Sequence, residues 1–203
     1  MRIPVIIAVV LVCLSVYTST PRYVPHDGDI VFQTSMSSQS LAIQRATHSK
    51  YSHMGIVFVM DGKPYVLEAV QPVKMTPLSK WIARGEGEHV VVKRLRTAEH
   101  VLTSENVAKL KSEAKTFEGK PYDLYFEWSD DKIYCSELVW KIYQRALGVE
   151  LGKMQHLGDF DLTDKAVKAK IEERWHGNPP LQEPVVSPAA IFESEHLETA
   201  YSR

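Results

Sequence analysis

The sequence predicts one α+β domain behind an apolar leader, and three observations carry this prediction. Strand-type and helix-type patterns alternate along the chain, which indicates a mixed fold. The dipeptide Asp61-Gly62 lies between two apolar, β-rich runs, as is typical of an antiparallel hairpin. Residues 21–203 are also numerous enough for a single domain with its own hydrophobic core.

The composition is that of an ordinary soluble globular protein. Hydrophobic residues make up 44% of the chain, charged residues 24%, and the formal net charge is -1. No basic excess points to a nucleic-acid partner, so none is expected. The sequence contains no glycine-rich phosphate loop, no CxxC pair and no HExxH motif. The chemistries that depend on those motifs are therefore not expected.

Residues 1–20 are predicted to be a signal peptide or a retained anchor. One arginine precedes an uncharged apolar run from about Val5 to Val16, and small polar residues and prolines follow it. The run is shorter than the ~20 apolar residues that a transmembrane helix needs. Lipid attachment at Cys13 would require a small residue before it, where this chain has Val12. We expect a periplasmic or envelope-associated protein, with a membrane near its N-terminal segment.

The domain is expected to begin with a strand over residues 28–35 and a short helix over residues 37–49. The helix should turn Leu41, Ile43 and Ala46 toward the core, because these residues recur at helical spacing. The hairpin around Asp61-Gly62 comes next in the chain.

Two further helices and a strand are predicted after the hairpin. Thr76 and Pro77 are typical of a cap and a first-turn proline, and they open a helix over LSKWIARG. The run HVVVKRL is the next strand. Ser104 is expected to cap a helix whose apolar residues recur at helical spacing, and Gly119 is expected to end it.

Cys135 would be the single cysteine of a mature chain that has lost its leader, so no internal disulfide is expected. Apolar residues from Leu138 to Leu147 follow the helical period, and Gly148 is a natural stop. Cys135 is therefore predicted at the start of a helix, where free N–H groups and the helix dipole favour a thiolate. Packing alone is the alternative, since a buried cysteine often behaves as a small hydrophobic residue.

The hairpin supplies a candidate base and a residue to orient it. If the loop around Asp61-Gly62 has two or four residues, His53 pairs with Val70, and Glu68 lies on the neighbouring diagonal of the same face. A diagonal neighbour at ~7 to 8 Å is within reach of a long side chain. A loop of three residues would place His53 and Glu68 on opposite faces. Each residue alone would more often be structural, and only the combination indicates catalysis.

Several separated motifs resemble the YiiX-type permuted papain-like amidases of the NlpC superfamily. They are DGDIVFQTSMSSQSLAIQRATHSKYSHMGIVF, PYVLEAVQPVKMTPLSKWI, GKPYDLYFEWSDDKIYCSELVWKIY and VVSPAAIF. The resemblance runs from about Asp27 to Phe192. In such proteins the cysteine-bearing helix follows the sheet, so the histidine precedes the cysteine, and His53 precedes Cys135 here.

The resemblance implies a permuted papain-like fold, with helices packed on a small antiparallel sheet. It further implies that Cys135 is the nucleophile, His53 the base and Glu68 the orienting residue. Tyr122 and Tyr134 would line the substrate cleft, or be core aromatics instead. No cofactor is implied. The expected substrate is an amide in a cell-wall peptide or another peptide, with transfer or hydrolysis of a lipid acyl group as the alternative.

A non-catalytic binding module on the same scaffold is the competing hypothesis. Thiolate, imidazole and carboxylate together suit zinc, so Cys135, His53 and Glu68 could be ligands. No close pair of ligands supports this hypothesis, because His48 and His53 are five residues apart. Catalysis without a metal is the expectation that we favour.

Overall fold

The computed structural model describes residues 23–203, so the predicted leader and its boundary at residue 20 lie outside the described part of the chain. The strands within these residues are β1 Ile30–Gln33, β2 His53–Met60, β3 Lys63–Glu68, β4 Lys74–Pro77, β5 Val91–Leu95, β6 Gln155–His156, β7 Pro184–Val185 and β8 Leu197–Ser202.

The α-helices of the same region are α1 Ser40–Thr47, α2 Leu78–Ala83, α3 Ala98–Val101, α4 Ser104–Phe117, α5 Cys135–Leu147, α6 Lys165–Trp175 and α7 Pro188–Phe192. Short 3₁₀ turns cover Glu86–Glu88 and Leu157–Asp159. Among residues 23–203, no helix has the length and apolar character that crossing a membrane requires.

The main sheet has six strands in the order β4-β3-β2-β1-β5-β8, and every neighbouring pair is antiparallel. Strands β6 and β7 form a separate two-stranded ladder. The hairpin of β2 and β3 has a loop of two residues, one of the two lengths that place His53 and Glu68 on one face, since Met60 pairs with Lys63 across Asp61-Gly62. The predicted register of the hairpin is therefore confirmed.

The two faces of the sheet bury different side chains, as the alternation of β2 predicts. Met54, Ile56 and Phe58 belong to the larger core, which also contains apolar side chains of α4 and α5. The opposite face buries a second cluster that is covered by α2, namely Val31, Val57, Val66, Leu78, Trp81, Val90 and Val92. His53, the first residue of β2, shares the side-chain parity of Val57, and its ring stacks on Trp81 of this second cluster.

Three local predictions are wrong in detail. Leu41 is 50% exposed, because α1 instead turns its Ala42 side inward and packs Ile43 and Ala46 near α6. Thr76 does not cap α2, since it lies in β4 and its hydroxyl bonds to a buried carboxylate. The cap of α4 is Thr103 rather than Ser104, and its side chain accepts a bond from the N–H of Asn106.

Candidate active site

Cys135 is the first residue of α5 and is almost fully buried. The backbone N–H groups of the first helical turn have no acceptor within the helix, so they are free to bind a group at this end of α5. The apolar face of the helix holds it against β2, which fixes the position of the thiol relative to that strand. The predicted place of Cys135 at a helix start is confirmed.

His53 opens β2 and lies between Cys135 and Glu68. Its Nε2 atom is 2.7 Å from Oε2 of Glu68, and the ring is close enough to Cys135 for the thiol to raise its pKa. Because Nε2 is engaged by Glu68, Nδ1 is the nitrogen left to face the sulfur. Burial alone would lower the pKa of His53, but its hydrogen bonds to Cys135 and Glu68 and their charges raise the pKa to about 9.

Glu68 ends β3 and is completely buried. Its Oε1 accepts a bond of 2.6 Å from the Thr76 hydroxyl, and its Oε2 accepts bonds from His53 and from the Arg84 guanidinium. Burial would raise the pKa of Glu68, but the bond and charge of His53, then Thr76 and Arg84, lower it below its ordinary value. Glu68 is therefore ionised beneath the imidazole.

A glycine allows β2 and β3 to approach closely beside this pair. A Cβ atom on Gly55 would lie 2.5 Å from the carbonyl oxygen of Leu67 and 2.5 Å from Cγ1 of Val66. Any side chain at this position would force the two strands apart. The short distance between His53 and Glu68 depends on that approach.

Three side chains of this site were not predicted from the sequence. Thr76 and Arg84 hold the Glu68 carboxylate. The fully buried ring of Trp81 stacks on the His53 imidazole, with centroids 6.0 Å apart and an interplanar angle of 24°. All three come from the segment that forms β4 and α2, which carries no local signal of proximity to a histidine earlier in the chain.

Tyr122 and Tyr134 both lie beside Cys135, and they differ in what holds their hydroxyls. Tyr134 is buried in the core, and its hydroxyl accepts a bond of 3.2 Å from the Val186 N–H. The hydroxyl of Tyr122 accepts a bond of 2.5 Å from Nε2 of Gln39. Burial first, and then the negative charge of Cys135, raise the pKa of Tyr122 well above its ordinary value, so its hydroxyl keeps its proton.

Two concave regions meet at Tyr122. One is a cavity behind Cys135 between α1 and α6, with an apolar lining that includes Ala46, Phe126, Ile171 and Trp175. The other is an open cleft along the His53 side of the site, which is lined by more polar residues. Four residues line both regions and lie at their boundary, namely Gln39, Tyr122, Lys170 and Arg174.

This fold and this arrangement define a class of protein. The family model of permuted papain-like amidase enzymes, the YaeF/YiiX or C92 family, matches residues 24–201. The chain belongs to this family. It is therefore a papain-like cysteine hydrolase of the amidase or peptidase type, with a permuted papain-like fold.

Its relatives include a protein of known sequence and a solved structure. The protein YiiX of Escherichia coli (strain K12) is 52% identical over 191 residues, which cover 93% of each of the two chains. The crystal structure of the metalloprotein YiiX from Escherichia coli O157:H7 matches with a TM-score of 0.85 and 52% identity. The match covers 88% of this chain and 98% of that one.

The residues of the site do not suit a metal ion, although the solved neighbour is called a metalloprotein. Within residues 23–203, no group of three or more His, Cys, Asp or Glu side chains is placed to hold a metal. Both oxygens of Glu68 already accept bonds, and one of the donors is the Arg84 cation. His48 faces Asp161 instead, at 3.4 Å.

Proposed function

We propose that this protein is an exported cysteine hydrolase that cleaves an amide bond through a thioester on Cys135. The observation that carries the proposal is the position of the His53 imidazole, between the Cys135 thiol and the Glu68 carboxylate. A nucleophile, a base and a group that orients the base are what acyl transfer through a cysteine requires.

The first chemical step is attack of the Cys135 sulfur on the substrate carbonyl carbon. His53 holds the proton that the thiol has lost, because its pKa of about 9 favours the imidazolium at neutral pH. Glu68 stabilises that imidazolium and fixes the ring so that Nδ1 faces the sulfur. The developing oxyanion is bound by the Cys135 backbone N–H and, as its second donor, by the Tyr122 hydroxyl.

The second step expels the amine and leaves an acyl group on the sulfur. His53 donates its proton to the leaving nitrogen as the carbon–nitrogen bond breaks. The neutral imidazole then accepts a proton from water, whose oxygen attacks the thioester. Breaking the carbon–sulfur bond releases the acid and restores the thiolate with the imidazolium. The sequence of steps needs no cofactor.

An envelope substrate follows from the export that the leader predicts. We propose that residues 1–20 carry the protein into the periplasm or to the envelope, and that an amide in a cell-wall stem peptide or another peptide is its substrate. N-terminal sequencing of the protein purified from cells should begin near residue 21. Full-length protein that starts at Met1 and is recovered from the cytoplasm would contradict export.

A lipid acyl group is the second candidate substrate, and the apolar cavity behind Cys135 favours it. The lining residues from α1 and α6 offer an acyl chain few hydrogen-bonding groups. A thioester forms equally from an amide or an ester, and it passes its acyl group to water or to another acceptor. The three central residues serve both candidates.

The two candidate substrate classes can be distinguished with the purified protein. Amide cleavage predicts release of a new amine from a peptidoglycan stem tetrapeptide by the wild type, with none released by Cys135→Ala. The acyl candidate predicts that kcat/KM for p-nitrophenyl esters rises from acetate to octanoate. Each methylene that enters the cavity contributes ~0.8 kcal/mol, or about fourfold.

A matched pair of variants on α1 shows whether the cavity itself is used. Ala46 lines the cavity, so Ala46→Phe should remove the preference for long esters. Leu41→Phe adds an aromatic ring to an exposed position of the same helix and should leave that preference unchanged. A stem peptide that is never cleaved, together with a strong preference for long esters, would replace the amide proposal by the acyl one.

A further inference from the structure

A chain of two hydrogen bonds joins helix α6 to Tyr122 beside the nucleophile. Arg174 near the end of α6 donates from Nη2 to Oε1 of Gln39, at 2.7 Å. Gln39 precedes α1 as its N-cap residue, and its Nε2 donates to the Tyr122 hydroxyl at 2.5 Å. Three segments that are far apart in the sequence therefore meet at the boundary between the cavity and the cleft.

Arg174 decides the direction of both bonds. A guanidinium has only donors, so the atom of Gln39 that faces Arg174 must be the amide oxygen. The amide nitrogen of Gln39 is then the atom that faces Tyr122, and it can only donate. The orientation of this amide follows from chemistry and not from shape, which is nearly the same for its two ends.

Because both hydrogen bonds run from Arg174 toward Tyr122, the hydroxyl proton of Tyr122 is free for another acceptor. The hydroxyl already accepts from Gln39, so its single proton must point elsewhere. Tyr122 lines the cavity together with Cys135, and the charge on the sulfur acts on its hydroxyl. An oxyanion formed at Cys135 is an acceptor on that side of the ring.

The first donor of these two hydrogen bonds, Arg174, carries a positive charge. The guanidinium of Arg174 lies 5.3 Å from the centroid of the Phe126 ring, which it covers, and Nε of Arg174 has no hydrogen-bond partner among the described residues. Its hydrogen bond to Gln39 is thus a main anchor of its position. Successive hydrogen bonds polarise one another, so a cation at one end strengthens donation at the other.

We propose that Gln39 and Arg174 are positioning residues that direct the Tyr122 hydroxyl proton toward the oxyanion at Cys135. This inference rests on the proposed hydrolase function and adds residues of α1 and α6 to the machinery of the site. It makes the rate of acyl transfer depend on the direction of a hydrogen-bond chain, beyond the presence of Tyr122 alone.

Two substitutions of Gln39 separate direction from structure. Gln39→Glu keeps the shape of the side chain and can pair with Arg174, but a carboxylate accepts the Tyr122 proton instead of donating to the hydroxyl. Gln39→Leu removes both bonds and leaves the hydroxyl free to rotate toward the oxyanion. A structural role predicts that Gln39→Glu is the milder change, whereas the direction of the chain predicts that it is the more harmful one.

The experiment compares two reactions of Cys135 in each variant. Acylation by p-nitrophenyl butyrate passes through an oxyanion, and alkylation by iodoacetamide does not. The ratio of the two rates therefore reports oxyanion binding, because any change in thiolate content affects both reactions. Gln39→Glu and Tyr122→Phe should each lower this ratio by roughly 10²- to 10³-fold, the usual effect of losing one oxyanion donor.

Variants of Arg174 and of Gln39 complete the test. Gln39→Leu should lower the ratio less than Gln39→Glu does. Arg174→Lys keeps a donor with a positive charge, so it should retain more of the ratio than Arg174→Met does. In Arg174→Met, nothing prevents the side-chain amide of Gln39 from flipping. Thermal melting identifies any variant that fails to fold. The ratios of the variants that do fold are then compared to test the positioning roles.

The outcomes distinguish the inference from the function on which it rests. A wild type that releases no p-nitrophenolate through Cys135 would overturn the hydrolase proposal and the positioning roles with it. Cys135-dependent release, with Gln39→Glu as active as Gln39→Leu or more so, would overturn only the positioning roles. A Tyr122→Phe variant with an unchanged ratio would likewise overturn them.

Discussion

Substitution of His53 by alanine is expected to lower the turnover of any substrate by roughly 10²- to 10⁴-fold, the usual contribution of a positioned acid–base group. In the proposed mechanism the imidazole holds the proton of the thiol, stabilises the thiolate by its charge and protonates the leaving amine. All three contributions are lost together. The measurement is kcat/KM for the substrate that the wild type turns over, with Cys135→Ala as the reference for complete loss.

A suitable control changes another histidine whose ring lies away from the site. His48 is exposed and faces Asp161, so His48→Ala removes an imidazole without touching Cys135. Its turnover should remain close to that of the wild type. Equal losses in His48→Ala and His53→Ala would show that the effect is not specific to the ring beside the sulfur.

Replacement of Glu68 by glutamine is expected to shift the alkaline limb of the pH–rate profile to lower pH. In the proposed mechanism His53 must be protonated to donate to the leaving group, so we expect its pKa of about 9 to set that limb in the wild type. The negative charge of Glu68 favours the imidazolium, so a neutral amide lowers the pKa of His53. The imidazole then loses its proton at a lower pH, and activity falls there.

The loss of rate in Glu68→Gln at neutral pH should be smaller than in His53→Ala, because Glu68 acts on the ring and not on the sulfur or the substrate. Thr76→Val is the matched control, since it removes one hydrogen bond from the same carboxylate and leaves its charge in place. Its alkaline limb should stay near that of the wild type. An unshifted limb in Glu68→Gln would show that Glu68 does not act on His53.

The central pair of the site could be predicted because its geometry is set by local rules. The turn at Asp61-Gly62 fixes the register of the hairpin, and the register places His53 and Glu68 on one face. The helical period that starts after Cys135 fixes where α5 begins. Both rules depend on residues that are near one another in the chain.

The supporting residues could not be predicted by the same means. Arg84 reaches Glu68 only because α2 packs on the face of the sheet that contains His53, which is a tertiary contact. Arg174 and Gln39 are 135 residues apart, and α6 has little apolar periodicity, with Val167 as its buried residue. Thr76 has the sequence features of a helix cap, yet the buried carboxylate binds its hydroxyl.

The exposure of Leu41 likewise could not be predicted from the residues near it in the chain. Its helical spacing suggested a core position, but α1 has a neighbour, α6, that the sequence pattern did not reveal. Packing against α6 fixes the rotation of α1, so that Ala42 is buried and Leu41 is exposed. The pattern of one helix predicts that it has an inner face, and its partner decides which residues form that face.

The pairing of Cys135 with His53 is tested most directly by the rate of thiol alkylation as a function of pH. Purified protein is treated with iodoacetamide between pH 5 and pH 9, and modification of Cys135 is followed by mass spectrometry. We predict fast modification of the wild type even at the acidic end, because the imidazolium stabilises the thiolate. The profile of His53→Ala should move toward that of an ordinary free cysteine, which is mostly protonated at acidic pH. A wild-type thiol that reacts no faster than a free cysteine at pH 5, or a profile that His53→Ala leaves unchanged, would contradict the pairing.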